Sequence, residues 1–361
     1  QGHVLVNGDD FYRNFAAYRT VLGYVPQDDI LHRQLSVQRA LEYAARLRLP
    51  VDTSDQEVAT RIERVLDDVE MTPHRDKPIE TLSGGQRKRV SIGAELLADP
   101  SLFFLDEPTS GLDPGLEKKM MYTLRRLADS GRIVVLVTHA TANIMQCDHV
   151  IFMAGNGRMV FFGPPAEALQ FFQITSGDFA DIYTKIEGIA APDHSVVRRD
   201  LKTEYDMWCA LHPQADSPPT LAELWEIRYR QSSLYQRYVV ARLAAAPSGP
   251  QVQNPTVKQA PQRVSALRQF GLLTRRYFDL MRQDRRNVLI LLLQAPIIAL
   301  LLVLVVRSDA LTGTQAQDLI QRSEAKKLLF MLATVSVWFG IINAAREITK
   351  EQAIYRRERL V

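Results

Sequence analysis

The chain has 361 residues, 46% hydrophobic and 24% charged, an ordinary composition for a globular protein with room for a large core and a second segment. Its net charge of +3 is too small to argue by itself for a nucleic-acid partner. The two cysteines, Cys147 and Cys209, lie far apart and form neither a disulfide framework nor a zinc spacing, which suits a reducing compartment.

In chain order, the first 175 residues alternate short apolar runs with helical patterns. Residue 1 is Gln and no signal peptide is legible, so the chain is expected to be an excised fragment. Gly2 to Gly8 reads as a strand entering a glycine turn, and Val21 to Pro26 as a second strand. Leu35 to Leu49 and Thr60 to Met71 read as helices. Leu102 to Leu105 and Ile133 to Val137 are continuous apolar runs, the pattern of strands buried on both faces in a parallel sheet covered by helices. Val150 to Met153, Gly155-Asn156-Gly157 and Met159 to Phe162 give a hairpin signal. From 190 to 262 the character changes, with eight of the chain's 18 prolines. This stretch reads as part of a linker, with one helical island from Leu221 to Leu243.

Val264, Leu267, Phe270, Leu273, Tyr277 and Met281 recur at spacings of three and four, one apolar stripe flanked by Arg275, Arg276, Arg282, Arg285 and Arg286. Such a helix suits a membrane interface. Val288 to Val306 carries no charge and, at about 1.5 Å per residue, spans roughly the hydrocarbon thickness. Pro296 within it is tolerated in a membrane helix. Leu328 to Ala345 is a second uncharged stretch, so the two are expected to form a membrane hairpin. Basic residues flank every end, so charge does not set the orientation.

Five sites along the chain carry candidate chemistry. Leu82-Ser83-Gly84-Gly85-Gln86 precedes a helical run: Ser83 is a good N-cap, and the glycines let a bulky anion reach the backbone and the helix dipole. Leu102 to Pro108 is an apolar strand ending in Asp106 and Glu107, whose side chains point opposite ways and can do different work. Asp106 suits a Mg²⁺ ion held through water, and Glu107 suits activation of an attacking water. Ser110 to Asp113 is a turn whose Asp113 can orient a facing subunit. His139, after the strand Ile133 to Val137, can contact a terminal phosphate; Gln27, after the strand Val21 to Val25, can touch Mg²⁺ or its water.

In this order and spacing the segments resemble the ABC transporter family. Leu82 to Gln86 looks like the signature, Phe103 to Glu107 the Walker B strand with its catalytic glutamate, Ser110 to Asp113 the D-loop, His139 the switch histidine and Gln27 the Q-loop glutamine. Gln86-Arg87-Lys88-Arg89, Gly23 to Asp29, Gly155-Asn156-Gly157 with Phe162-Gly163-Pro164, and a nucleotide domain placed before a membrane domain resemble the G (white) subfamily. Residues Arg346 to Arg359 resemble its cytosolic coupling loop. The family's phosphate loop of the Gly-x-x-x-x-Gly-Lys-Ser/Thr type is not present, since none of the 18 glycines precedes a lysine; the family places it before Gly2, so truncation is expected.

The resemblance implies an α/β fold, a partial P-loop NTPase-like ABC nucleotide-binding domain over 1–175. A linker with docked helices over 176–262, an amphipathic connecting helix over 263–286 and the start of a transmembrane domain over 287–361 would follow. It implies ATP and Mg²⁺ as ligands, with Glu107 and His139 catalytic, and Ser83, Gly84, Gly85, Gln86, Asp113 and Gln27 on the nucleotide. Asp106 and Gln27 would serve the metal. It implies a second half-transporter as partner, identical or not, a lipid membrane, a transported substrate and no nucleic acid. The nucleotide domain would lie in the cytoplasm of a plasma or bacterial inner membrane. Two other readings keep the fold: a soluble ABC ATPase, against which Val288 to Val306 speaks, and a degenerate subunit acting as a binding module, against which Glu107 and His139 speak.

Overall fold

The computed structural model describes residues 4–6, 8–18, 21–187, 200–213, 218–245, 266–305 and 319–360. Of the expected linker, residues 188–199, 214–217 and 246–262 lie outside them. The chain forms two compact units, Gln1–Gln27 with Asp99–Ala260 and Asp28–Ala98 with Pro261–Val361.

The first unit is built on a three-stranded parallel sheet of β3 (Leu22–Val25), β4 (Leu102–Asp106) and β5 (Ile133–Val137), in that order. A short antiparallel pair, β1 (Leu5–Val6) and β2 (Asp9–Asp10), precedes it. Register runs from Leu22 opposite Leu102 to Asp106 opposite Val137. Gly23 is required here, because a Cβ on it would lie 2.5 Å from the Phe103 ring. Helix α5 (Pro114–Asp129) connects β4 to β5, the crossover that parallel neighbours need. Earlier helices are α1 (Phe15–Tyr18) in this unit and α2 (Val37–Arg48), α3 (Asp55–Asp68) and α4 (Gly84–Leu96) in the other.

The parallel sheet is as the apolar runs predict, but among the described residues only one of its faces holds buried residues, so the expected burial on both faces is not found. Phe103 and Leu105 of β4 are buried, whereas Ile133, Val135 and Val137 of β5 are exposed. Because successive side chains alternate faces, those three share one face, which is open among the described residues.

The hairpin β6 (Val150–Ala154) and β7 (Arg158–Gly163) turns on Asn156 and Gly157, both at positive φ. Helices α6 (Pro165–Phe171), α7 (Ala180–Glu187), α8 (Lys202–Leu211) and α9 (Leu221–Gln231) close over it. Phe152, Phe161, Phe172, Trp225 and Tyr229 form its centre, and the Tyr229 hydroxyl donates to the Phe162 carbonyl at 2.8 Å. The helical island from Leu221 therefore has a core to dock on. It breaks at Ser232, whose extended backbone ends α9 and whose side chain caps the next turn.

In the second unit α2, α3 and α4 pack together, with Leu41 of α2 and Val65 of α3 meeting at Gly93 of α4. α3 starts earlier than the apolar period suggests, at a capping box in which Ser54 and Glu57 satisfy each other's backbone N–H. A bidentate ion pair ties α2 to α4: Arg48 Nη1 and Nη2 reach Glu95 Oε2 and Oε1 at 2.7 and 2.6 Å, with Glu95 fully buried.

The same unit holds α10 (Ala266–Gln283), α11 (Arg285–Val305, with Pro296 inside) and α12 (Leu319–Leu360). Within α12, Lys326–Thr349 is long and apolar enough to cross a membrane, with 6% of its most apolar window buried. Val288–Leu301 of α11 is a shorter apolar stretch. Residues Arg346 to Arg359, which resemble a loop, continue α12 as helix; no Gly or Pro interrupts them.

Candidate functional site

Each candidate residue sits at the end of a regular element. Asp106 ends β4, and Glu107 follows it at φ 48, in the left-handed region that a side-chain-bearing residue rarely adopts. Two backbone bonds hold Glu107 there. Its N–H donates to the Val137 carbonyl at 2.9 Å, and its carbonyl accepts from the Ser110 N–H at 3.1 Å.

His139, two residues past β5, meets Glu107: Nδ1 lies 2.7 Å from Oε2. The imidazole is 75% exposed and the carboxylate 18%. The approach is close but not aligned as a hydrogen bond, so Oε2 is a buried oxygen with no hydrogen-bond donor among the described residues. Such an oxygen attracts a cation or a hydrogen-bonding water. Asp106 faces Tyr24 instead. Burial first, then the Asp106 charge and hydrogen bond, push the Tyr24 phenol up, so it stays a neutral donor to the carboxylate. Sequence reasoning placed Tyr24 in a motif but gave it no task.

Asp113 is the N-cap of α5, with Oδ1 accepting from the Gly115 and Leu116 N–H groups at 3.0 Å each. Gln27 follows β3 by two residues. Sequence spacing thus places Gln27, Asp106, Glu107, Asp113 and His139 in the first unit, and the structure brings Glu107 and His139 into contact there.

Ser83, Gly84, Gly85 and Gln86 belong to the second unit. Ser83 Oγ accepts from the Gln86 N–H at 3.3 Å, and Gln86 Oε1 accepts from the Ser83 N–H at 3.0 Å, closing a capping box at the start of α4. A Cβ on Gly84 would meet nothing within 4 Å, so space is open above the helix N-terminus. Gln86 has a further partner that the sequence did not reveal: its Nε2 lies 2.9 Å from His74 Nε2. An amide N–H there requires a neutral imidazole accepting at Nε2. The two residues are 12 apart, and no local pattern joins them.

The basic run after Gln86 is also explained. Arg87 donates to the Leu82 carbonyl at 2.6 Å, Arg89 pairs with Glu70 at 3.2 Å, and buried Lys88 lies 3.6 Å from Asp29. Burial pushes the Asp29 carboxyl up, partly offset by Lys88 and Arg87.

Among the described residues no group of three or more His, Cys, Asp and Glu gathers to cage a metal. The Asp106 carboxylate at the end of β4 is a hard oxygen ligand of the kind a hydrated Mg²⁺ takes.

A family model described as "ABC transporter" matches residues 1–110. The ABC transporter ATP-binding/permease protein Rv1747 of Mycobacterium tuberculosis is 35% identical over 360 residues, covering 100% of this chain and 36% of that protein. ABC transporter G family member 28 of Arabidopsis thaliana is 37% identical over 178 residues, 47% of this chain and 16% of its own length. The mouse (Mus musculus) broad substrate specificity ATP-binding cassette transporter ABCG2 is 35% identical over 177 residues, 47% of this chain and 26% of its own. The chain thus spans about a third of Rv1747 and less of the others. A solved structure of cbiO1 from Clostridium perfringens superposes on 52% of the chain, at 27% identity and a TM-score of 0.43.

Proposed function

The chain carries an ABC transporter domain related to the G family, and from that premise we propose that it is the ATP-binding and ATP-hydrolysing part of a transmembrane exporter working as a dimer of half-transporters. The observation that carries the reading is Glu107 at the tip of β4 with its Oε2 2.7 Å from His139 Nδ1. A carboxylate held at a strand tip by its own backbone, with one oxygen lacking a donor, is placed to accept a proton from an attacking water. His139, mostly exposed, can turn from Glu107 to a terminal phosphate and steady its developing charge.

Asp106 and Gln27 would hold Mg²⁺, which when bound neutralises phosphate charge. Tyr24 fixes the Asp106 carboxylate by donating to it. Ser83, Gly84 and Gly85 at the α4 N-terminus would contact the nucleotide held by a second subunit, with Gln86 keeping the Ser83 turn in shape. Asp113 would orient the facing subunit while capping α5. Because each site would borrow its signature from the partner, a dimer is required.

Lys326–Thr349, long, apolar and little buried, supports the membrane part and speaks against a soluble ABC ATPase. The nucleotide-binding residues would then face the cytoplasm. The test is Glu107→Gln in the full-length protein: turnover should fall by at least a hundredfold while nucleotide binding persists, in line with the roughly 10²–10⁴-fold contribution of general bases. Undiminished turnover sinks the assignment of Glu107 as the base.

A further inference from the structure

Helix α10 has two distinct sides. One packs on α2, where Asp279 Oδ2 accepts from the Tyr43 hydroxyl at 2.6 Å and lies 3.1 Å from Arg39 Nη2. The other presents Leu267, 84% exposed, with Phe270 and Phe278, both well exposed. Along the flank between them stand Arg268 and Arg275, seven residues and therefore two turns apart on one line.

These two arginines and Arg46 of α2 line an open pocket of about 660 Å³. Its other walls include Leu47 and Leu272, and Asp55 is its one carboxylate. Three guanidinium groups therefore face one acid. Arg46 is held in place by Glu42 at 3.3 Å and Asp55 at 3.0 Å, and Arg268 donates to the Val51 carbonyl at 2.8 Å. The Asp55 side chain is 85% exposed and can swing into water when another anion arrives.

The location narrows the class of anion. One residue after Asp284, α10 gives way to α11, whose Val288–Leu301 is apolar. A helix with aromatic and leucine side chains on one face and arginines on its flank, leading straight into an apolar helix, matches the layering of a bilayer surface: acyl boundary, then headgroups. Planar guanidinium forks bind phosphate oxygens bidentately, and the leucines offer an apolar wall beside them.

We propose that Arg46, Arg268 and Arg275 bind the phosphate headgroup of an anionic phospholipid of the cytoplasmic leaflet, while Leu267, Phe270 and Phe278 sit at its acyl boundary. The inference rests on the membrane part of the proposed function and not on ATP hydrolysis.

The full-length protein in neutral detergent is titrated with short-chain phosphatidylglycerol, with phosphatidylcholine of the same chain length, and with inorganic phosphate as the soluble source of the same chemistry. The expected result is tighter binding of phosphatidylglycerol than of phosphatidylcholine, with millimolar phosphate failing to compete. The double variant Arg268→Gln with Arg275→Gln should lose roughly 25-fold in phosphatidylglycerol affinity, from about a fivefold effect per surface arginine. Its phosphatidylcholine affinity should stay unchanged. Arg268→Lys with Arg275→Lys, which keeps the charge, should recover most of the loss; an unchanged thermal transition in both double variants keeps misfolding out of the comparison. Equal binding of the two lipids by the wild type, no effect of the Gln pair, or full competition by inorganic phosphate each overturns the proposal. A protein that prefers phosphatidylglycerol yet never hydrolyses ATP sinks the ATPase reading alone.

Discussion

His74 illustrates how much of the geometry of the Ser83 turn depends on one side chain outside it. The Gln86 amide serves two partners at once, the Ser83 backbone through Oε1 and His74 through Nε2. Replacing His74 by Ala leaves the amide oriented only by the capping box and removes one hydrogen bond, worth about 1 kcal/mol. If Ser83 contacts nucleotide, His74→Ala should raise the KM for ATP several-fold in the full-length protein, with His74→Gln restoring part of it. An unchanged KM removes His74 from the positioning of the signature.

Tyr43 makes a second prediction at the same scale, with its sign fixed by burial. Burial first, then the bond and charge of Asp279, push its phenol up to about 12, above the ordinary value of 10.0. For a group raised on folding, the contact stabilises fully below the unfolded value and is lost as pH climbs through the folded one. Stability held by the Tyr43–Asp279 bond should therefore persist at neutral pH and decline between pH 10 and 12. A tyrosinate absorbance titration of wild type minus Tyr43→Phe should place this one phenol at the upper end of that window. Ionisation near 10 would show that Tyr43 does not face Asp279.

Among the helices of the second unit, the Arg48–Glu95 pair is the most consequential polar contact. Glu95 is fully buried, and the two Arg48 bonds compensate its charge where a hydrophobic pair would have needed no such compensation. Arg48→Ala removes that bidentate compensation and should cost about 3–5 kcal/mol, whereas a paired change of both residues to similarly sized apolar ones should cost far less. Thermal melting of the single and double variants checks this; equal losses would mean that packing and not charge ties α2 to α4. In the sheet, Gly23→Ala drives a methyl into Phe103 and Pro100 and should destabilise by about 1–3 kcal/mol, read in the same assay.

The parts of the fold that were legible at this scale are those encoded within a few residues. The apolar run ending in Asp106 and Glu107, the Ser83 cap and the Asn156-Gly157 turn all stand where their local chemistry puts them. The start of α3 was equally local, in Ser54 and Glu57, yet the apolar period pulled the expected boundary to Thr60. Non-local pairings were out of reach. Nothing near Gln86 announces His74, nothing near Lys88 announces Asp29, and the apolar residues of β5 look like core although three of them are exposed. The helix through Arg346 to Arg359 was obscured by a resemblance; its own residues, with no breaker, favour the helix found.

For the molecule as a whole, α12 sets the length scale. Its 42 residues extend about 63 Å at 1.5 Å per residue, about twice a bilayer's hydrocarbon core. The apolar part, Lys326–Thr349, carries Trp338 on its exposed surface, while Trp225 is buried among the helices on β7. In vesicles whose acyl chains carry bromine, the full-length protein should lose the Trp338 emission and keep that of Trp225. Single-tryptophan variants separate Trp338 and Trp225 from each other and from Trp208, and an unquenched Trp338 would argue against a membrane span.

The left-handed backbone at Glu107 has a further consequence. Holding a glutamate at φ 48 costs about 1–2 kcal/mol that glycine would not incur and asparagine would incur less. The residue proposed as the base is thus one the local geometry would discard. A library selected for heat resistance alone should accumulate Gly or Asn at 107, and each such survivor should be sturdier than its parent and unable to turn over nucleotide. The proton acceptor would be kept there by its use, against the preference of the chain that carries it.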